Sequence, residues 1–219
     1  MNKTKLLVFG TKVPNTENII LTLNKTRVPA SRHTKFIGTI IDCKLSWKEH
    51  ISSVCSKISR RNGVLNNPKY FLPQSTLLLL YSSLIFPHVN YNLLLWGNAK
   101  KRLLTVHSFA AKRAVLDICN VSFTHHTGPL FKSLSILSVF DLYKYHLGVF
   151  MHNFIHNKLP KCYSNFYVQN RHYHDCDTRK KHLLTIPYSR TCLTKSRIRH
   201  SGAVLWTSLH DHVKHCISL

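Results

Sequence analysis

The feature that most constrains this chain is its imbalance of charge. Its 219 residues hold 31 Lys and Arg against 8 Asp and Glu, so the formal net charge is +23. A charge of this size attracts polyanions and opposes compaction unless a partner neutralises it. Because 44% of the residues are hydrophobic, the chain can still build a core. We therefore expect a folded chain that binds a polyanion.

Nucleic acid is the polyanion that the composition favours, and charge that only decorates the surface is the alternative. Aromatic residues make up 11% of the chain, and cations interleaved with aromatics are typical of proteins that bind RNA, DNA or an RNA–DNA hybrid. The longest apolar run, 77–86, has ten residues, whereas a transmembrane helix needs about 20. Residues 6–9 are too short for the core of a signal peptide. We expect no membrane partner and an intracellular protein, cytoplasmic or nuclear, that is not secreted.

Metal-ligating residues form no recognised frame. The seven cysteines contain no C-x-x-C pair, which argues against a disulfide framework or a zinc ribbon. His172, His174 and Cys176 alternate at a spacing of two, and His182 or Cys192 would complete a zinc site. The favoured alternative is a polar loop. Because the eight acids are spread over the whole chain, we predict no metal site and no catalytic residue.

The first forty residues predict strands. Residues 5–9, 18–23 and 35–42 are short β-branched runs separated by turn-forming residues. They predict a small antiparallel meander at the edge of something larger.

From Ser46 onward, apolar residues recur at helical spacing. We predict Ser46 as the N-cap of the first helix, with Glu49 completing a capping box. His50, Lys57 and Arg60 are predicted to face outward together. The sequences Asn62-Gly63 and Asn66-Asn67-Pro68 are predicted to stop or bend this helix. Further helices are predicted over 73–86, 100–119, 129–137, 139–155 and 203–209.

The helix over 73–86 carries little polar surface, so we expect it in the middle of a bundle and ending before Pro87. The predicted fold class is α+β, mainly α. Short N-terminal antiparallel strands (1–45) precede a helical, thumb-like bundle (46–157) and a basic, partly irregular C-terminal region (158–219).

A series of motifs runs in order along the chain. Residues 2–9 read as a shortened N-x-x-K-T-x-x-x-V-F, and residues 35–51 follow K-F-L-G-x-x-I-D-x-x-L-S-W-x-x-H-I. Residues 80–97 follow L-Y-x-S-L-I-x-P-H-x-x-Y and a later W-G. Residues 174–206 follow H-x-Y-x-T-R, with Cys176 in place of the Tyr, then P-x-x-R-T and S-x-x-x-x-x-G-x-x-x-W. These motifs resemble the region downstream of the active site in reverse transcriptases of non-long-terminal-repeat retrotransposons, LINE-type and jockey-like.

The resemblance implies that residues 36–38 belong to a primer-grip strand and that Trp47 opens the first thumb helix, which closes on the template-primer duplex. A glycine allows close approach of backbone to a sugar-phosphate chain, and cations neutralise phosphates without reading bases. The predicted nucleic-acid-binding residues are Lys35, Phe36, Gly38, Lys57, Arg60, Lys112, Arg113 and Arg179. For Lys57 and Arg60 a solvated face is the alternative, and for Trp47 core packing is favoured over base stacking.

The resemblance also implies what this chain lacks. The two adjacent catalytic aspartates of the family would lie upstream of residue 1, with the rest of the palm and the fingers as missing partners. Magnesium belongs to the parent RNA-directed DNA polymerase, and no cofactor is expected in this chain. We expect a reverse transcriptase fragment that binds template-primer and does not polymerise. A decayed, non-functional transposon remnant and a stand-alone basic RNA- or DNA-binding protein are the alternatives.

Overall fold

A computed structural model describes residues 4–10, 20–170 and 183–214. The predictions on Arg179 and on His172, His174 and Cys176 lie outside these residues. The chain forms two compact units: Met1–Asn92 with Ala99–Ile136, and Leu93–Asn98 with Leu137–Leu219. In the described part of the chain, no helix is long and apolar enough to cross a membrane.

The described residues are mainly helical, with two short antiparallel strand pairs and no closed sheet. The strands are β1 (Thr22–Leu23), β2 (Thr26–Arg27), β3 (His33–Phe36) and β4 (Thr39–Asp42). The α-helices are α1 (Lys48–Asn66), α2 (Gln74–Leu80), α3 (Phe86–Asn90), α4 (Leu93–Trp96), α5 (Lys101–Ile118), α6 (Thr127–Ser133), α7 (Val139–Ile155), α8 (Cys192–Lys195), α9 (Ile198–Ser208) and α10 (Asp211–Lys214). Short 3-10 turns lie at Pro68–Tyr70 and Lys161–Tyr163.

The predicted meander is wrong, because the β-branched run 35–42 is a hairpin rather than one strand. Strand β3 pairs with β4 in antiparallel register, with Phe36 opposite Thr39. The two residues between them, Ile37 and Gly38, have φ of 43° and 77°, as a tight two-residue hairpin turn requires. The other strands form a second hairpin, with Thr22 opposite Arg27.

Gly38 is held by a tyrosine of the same unit. The Tyr91 hydroxyl donates a 2.6 Å hydrogen bond to the carbonyl of Ile37. A Cβ on Gly38 would lie 3.2 Å from the Tyr91 ring. The close approach that a glycine permits at this turn is therefore used within the chain.

Helix α1 begins at Lys48, and its N-terminus is organised by Asp42 rather than by a Ser46 cap. The two carboxylate oxygens of Asp42 accept 2.9 Å hydrogen bonds from the N–H groups of Ser46 and Trp47. Trp47 occupies the N-cap position in a left-handed conformation, with φ of 63°. The predicted capping box is therefore wrong, because Asp42 takes the amide donors that precede the helix.

The core of the first unit lies between α1 and α5. Ile58, Leu65 and Val115 are fully buried there, and the Asn62 side chain donates a 2.8 Å hydrogen bond to the carbonyl of Ala110. This bond joins α1 to α5. Helix α1 runs through Asn62-Gly63 without ending there, and it ends at Asn66, where Asn66-Asn67-Pro68 was predicted to stop it.

The prediction that His50 faces outward with Lys57 and Arg60 is wrong. Its side chain is 3% exposed, and its Nδ1 accepts a 3.3 Å hydrogen bond from the N–H of Ile40. His107 of α5 is also fully buried.

The predicted helix over 73–86 continues past Pro87. The chain widens into a π-helical turn at Tyr81–Ile85 and resumes as α3, with Pro87 in its first turn, where a missing N–H costs no hydrogen bond. This segment is not central, because Leu79 is 69% exposed.

The second unit is built on α7 and α9. Its core contains Met151, Tyr167, Leu184 and Ala203. A Cβ on Gly202 would overlap the Tyr167 hydroxyl and the Met151 sulfur. The predicted helix over 139–155 is confirmed, and the last predicted helix begins earlier, at Ile198.

Candidate nucleic-acid interface

The predicted binding residues of the first unit occupy three separate places. Lys35 and Phe36 lie on β3, and the Phe36 ring is 62% exposed. On α1, Arg60 is exposed and Lys57 is half-buried. On α5, Arg113 is exposed and Lys112 is half-buried. The first of these places, on β3, continues into the turn that contains Gly38; the second is α1 and the third is α5.

One cationic surface lies on a flank of α1. Lys57 and Arg61 lie four residues apart, one helical turn, and the Arg61 guanidinium donates a 3.2 Å hydrogen bond to the Lys57 carbonyl. Partial burial, followed by the positive charges of Arg61 and Lys57, lowers the pKa of His88 on α3. These charges therefore crowd one another, and a phosphate at this surface would relieve their repulsion.

Arg113 and Phe123 define the second surface. Both residues line three clefts, of about 370, 470 and 260 Å³. The guanidinium carbon of Arg113 lies 5.9 Å from the centre of the Phe123 ring, within cation–π range. We call the three together the Arg113 groove. Its further lining includes Lys69, Tyr70, Lys112, His125 and His126.

One wall of the groove carries an ion pair between the half-buried Lys69 and the buried Asp117. Lys69 Nζ donates a 3.1 Å hydrogen bond to Asp117 Oδ1. This bond, partly opposed by desolvation, raises the pKa of Lys69. The ammonium also lies 5.2 Å from the centre of the Tyr70 ring. A fixed cation, a carboxylate and an aromatic ring are thus adjacent at this wall.

Exposed aromatic rings accompany the cations. Tyr70 is 69% and Phe123 68% exposed, although large apolar side chains are usually covered. At the β3–β4 turn, Ile37 is also exposed, next to Phe36. Cations with open aromatic faces match the chemistry of nucleic-acid strands, because cations neutralise phosphates and rings stack on bases.

The sequence reasoning missed several residues of these surfaces. Arg61 had a signal, because it lies one helical turn from Lys57. No sequence pattern indicated Lys69, Asp117 or Phe123. The contact of Lys69 with Asp117 joins residues that are 48 apart in sequence. Phe123 lies in the loop between α5 and α6, where periodicity gives no guidance.

Three of the described acids, Asp42, Asp117 and Asp141, are engaged within the chain. Both oxygens of Asp42 accept backbone hydrogen bonds, and Asp117 is bound to Lys69. Asp141 accepts a hydrogen bond from Ser138 and pairs with Lys144. A two-metal site requires adjacent carboxylates that are available to the ions, so no chemical step is assigned to these residues.

Comparisons of this chain with known protein families, with curated proteins and with solved structures find no match.

Proposed function

We propose that this chain is a nucleic-acid-binding segment of a retrotransposon reverse transcriptase, in which the thumb-like helices of the first unit bind a template-primer backbone. The observation that carries the proposal is the Arg113 groove, where Lys69, Lys112 and Arg113 stand beside exposed Tyr70 and Phe123. The ordered motifs over residues 2–206 support the family assignment.

Charge supplies the driving force for this binding. Eight acids cannot neutralise 31 Lys and Arg, so cations remain available to phosphates. Phosphate contacts release condensed counterions, and the logarithm of affinity then falls linearly with the logarithm of salt concentration. If the chain contacts about six to ten phosphates, its affinity should fall about 10³- to 10⁵-fold between 50 and 200 mM salt.

The test is the salt dependence of binding to an RNA–DNA hybrid, measured by fluorescence anisotropy. Arg113→Gln and Arg60→Gln should each weaken binding and reduce the salt slope by about 0.9, because each removes one phosphate contact. Lys132→Gln is the matched control: Lys132 is an exposed cation of α6 that does not line the Arg113 groove. This control should leave the slope near that of the unsubstituted chain.

Three results would contradict the proposal or a part of it. A salt response that is flat would exclude a phosphate-binding surface, and an Arg113→Gln slope equal to that of Lys132→Gln would exclude the groove. The proposed segment lacks the catalytic aspartates, so extension of a primer by the isolated chain with magnesium would contradict that part of the assignment.

A further inference from the structure

One cleft of the Arg113 groove brings cations and imidazoles together without an acid among the described residues that line it. It encloses about 260 Å³, and helix α5 forms one wall with Lys112, Arg113 and Leu116. The other wall is the loop before α6 with the first residue of that helix, and it contributes Phe123, Thr124, His125, His126 and Thr127. We call this cleft the loop cleft. Asp117 lines a neighbouring cleft of the groove and not this one.

The nitrogen-bearing side chains of the loop cleft are accessible to a ligand. Arg113, His125 and His126 are exposed, and Lys112 is half-buried. The guanidinium of Arg113 lies over the Phe123 ring, 5.9 Å from its centre. A guanidinium in this position keeps N–H groups at its edge that can donate to a ligand. The two walls therefore offer donors to an anion from two sides.

The charge and the donors of the loop cleft favour a phosphate monoester over a phosphate diester. A diester inside a strand carries a single negative charge and has two free oxygens. A monoester at a strand end carries a charge of about −1.5 to −2 at pH 7 and has three free oxygens. The permanent cations Lys112 and Arg113 match this larger charge, and the imidazoles donate through their N–H groups. A metal cation is disfavoured, because no carboxylate is among the described residues that line the loop cleft.

We propose that the loop cleft binds the terminal phosphate monoester of a nucleic-acid strand. This inference rests on the proposed function, because the rest of the strand is held by the cationic surfaces of the first unit. Lys112 and Arg113 pair with the phosphate oxygens, and His125 and His126 donate further hydrogen bonds to them. The strand is thus bound by its end as well as along its backbone.

The experiment measures how the chemical form of the strand end changes affinity. Fluorescence anisotropy follows binding of the full chain to a twelve-nucleotide single-stranded RNA that carries its label on a central base. The strand ends either in hydroxyl groups alone or in one added phosphate, at the 5′ or at the 3′ end. We expect at least one phosphorylated strand to bind about three- to tenfold more tightly than the hydroxyl strand, because it adds a charged contact at the cleft.

Two controls separate a site for the strand end from general attraction. A thirteen-nucleotide strand with hydroxyl ends adds an internal phosphate and no monoester, so its affinity should rise less than that of the phosphorylated strand. Arg113→Gln should bring the ratio of phosphorylated to hydroxyl affinity close to one, and the double substitution His125→Gln and His126→Gln should lower it in part. Lys132→Gln should keep the ratio, because Lys132 is exposed on α6 and does not line the loop cleft.

The outcomes separate this inference from the proposed function. If no strand binds, the proposed function fails. If the strands bind equally whatever their ends, or if the thirteen-nucleotide strand gains as much as the phosphorylated one, backbone binding stands and the end site is overturned. An Arg113→Gln ratio equal to that of Lys132→Gln also overturns it.

A free nucleotide carries the same phosphate monoester, and a competition measurement distinguishes this source from a strand end. Uridine 5′-monophosphate lacks the backbone contacts, so it should not displace the phosphorylated strand at a concentration equal to the Kd of that strand. If it does, the loop cleft is a nucleotide site and its assignment to a strand end is overturned.

Discussion

At the scale of single residues, two buried histidines set the chemistry of the α1–α5 contact. His107 is fully buried, and burial, followed by the nearby charge of His50, lowers the pKa of His107 to about 4. Burial, followed by the charge of Lys57, also lowers the pKa of His50. Both side chains are therefore neutral at pH 7. The hydrogen bond from the N–H of Ile40 to His50 Nδ1 requires a neutral imidazole, because a protonated Nδ1 cannot accept.

This arrangement predicts acid lability. His107 titrates near pH 6.5 when unfolded and near pH 4 when folded, so the unfolded chain binds one more proton between those pH values. Stability is full above about pH 6.5 and falls as the pH decreases toward about 4. The loss from His107 alone is up to about 3 kcal/mol. Urea unfolding followed by circular dichroism at several pH values measures it.

His107→Leu should flatten the dependence of the unfolding free energy on pH between 4 and 6.5. His125→Gln is the control, because His125 is exposed, and it should retain the pH dependence of the unsubstituted chain. A pH dependence that is equally steep in both variants would show that His107 does not cause the lability.

At the scale of elements, periodicity predicted the long helices and failed where other contacts override it. The helices over 101–118 and 139–155 were visible because their apolar stripes face cores. The β3–β4 hairpin was missed because Ile37, a β-branched residue, occupies a left-handed turn position that usually holds Asn or Gly. The start of α1 at Lys48, organised by Asp42, and the π-helical turn before Pro87 depend on backbone geometry that residue patterns do not encode.

The same limit applies to the candidate site. The cations of α1 and α5 were predicted from the sequence because they lie beside apolar stripes. The ion pair of Lys69 with Asp117, and the position of Phe123 beside Arg113, arise only when distant segments pack. Sequence reasoning therefore identified phosphate-binding candidates but not the wall of the Arg113 groove that Lys69 and Asp117 form.

Three motif glycines have a shared packing role. Gly38 lies against Tyr91, Gly97 against Tyr143 and Gly202 against Tyr167. At each position a Cβ would meet the tyrosine ring or its hydroxyl. The motifs that resemble the reverse transcriptases thus include positions that the fold itself requires.

Gly202 gives a prediction at this scale. Gly202→Ala should destabilise the second unit by about 1–3 kcal/mol, because the added methyl overlaps Tyr167 and Met151. Gly148→Ala is the matched control on α7: a Cβ there has nothing within 4 Å, so the gain in helix propensity should stabilise the chain by about 0.5–1 kcal/mol. Urea unfolding followed by tryptophan fluorescence compares the two variants, and equal midpoints would contradict the packing argument.

At the scale of the whole molecule, the net charge of +23 acts against the folded state. Compaction brings like charges closer, and their repulsion is relieved by screening ions. The protein should therefore depend on its ionic surroundings for stability as well as for binding.

Salt should stabilise the isolated chain. Raising NaCl from 0.05 to 0.5 M should increase Tm by about 3–6 °C, on the order of 1–2 kcal/mol, because screening weakens the repulsion. Replacing exposed lysines by glutamine should reduce this gain in Tm, because it removes positive charge. Replacing the same lysines by arginine keeps the charge and should preserve the gain. Suitable exposed positions are Lys100, Lys101, Lys132 and Lys158. Differential scanning calorimetry gives Tm, and a Tm that falls with NaCl would contradict the prediction.

The assignment of Leu93–Asn98 to the second unit has a consequence for synthesis on the ribosome. This hexapeptide emerges before α7, the helix of its own unit against which α4 packs. Until translation reaches α7, the side chains of Leu93 and Trp96, which end almost fully buried, have no cover from that helix. Nascent chains in which Leu93–Asn98 has left the ribosome and α7 has not therefore present a short apolar segment, the kind of surface that chaperones recognise.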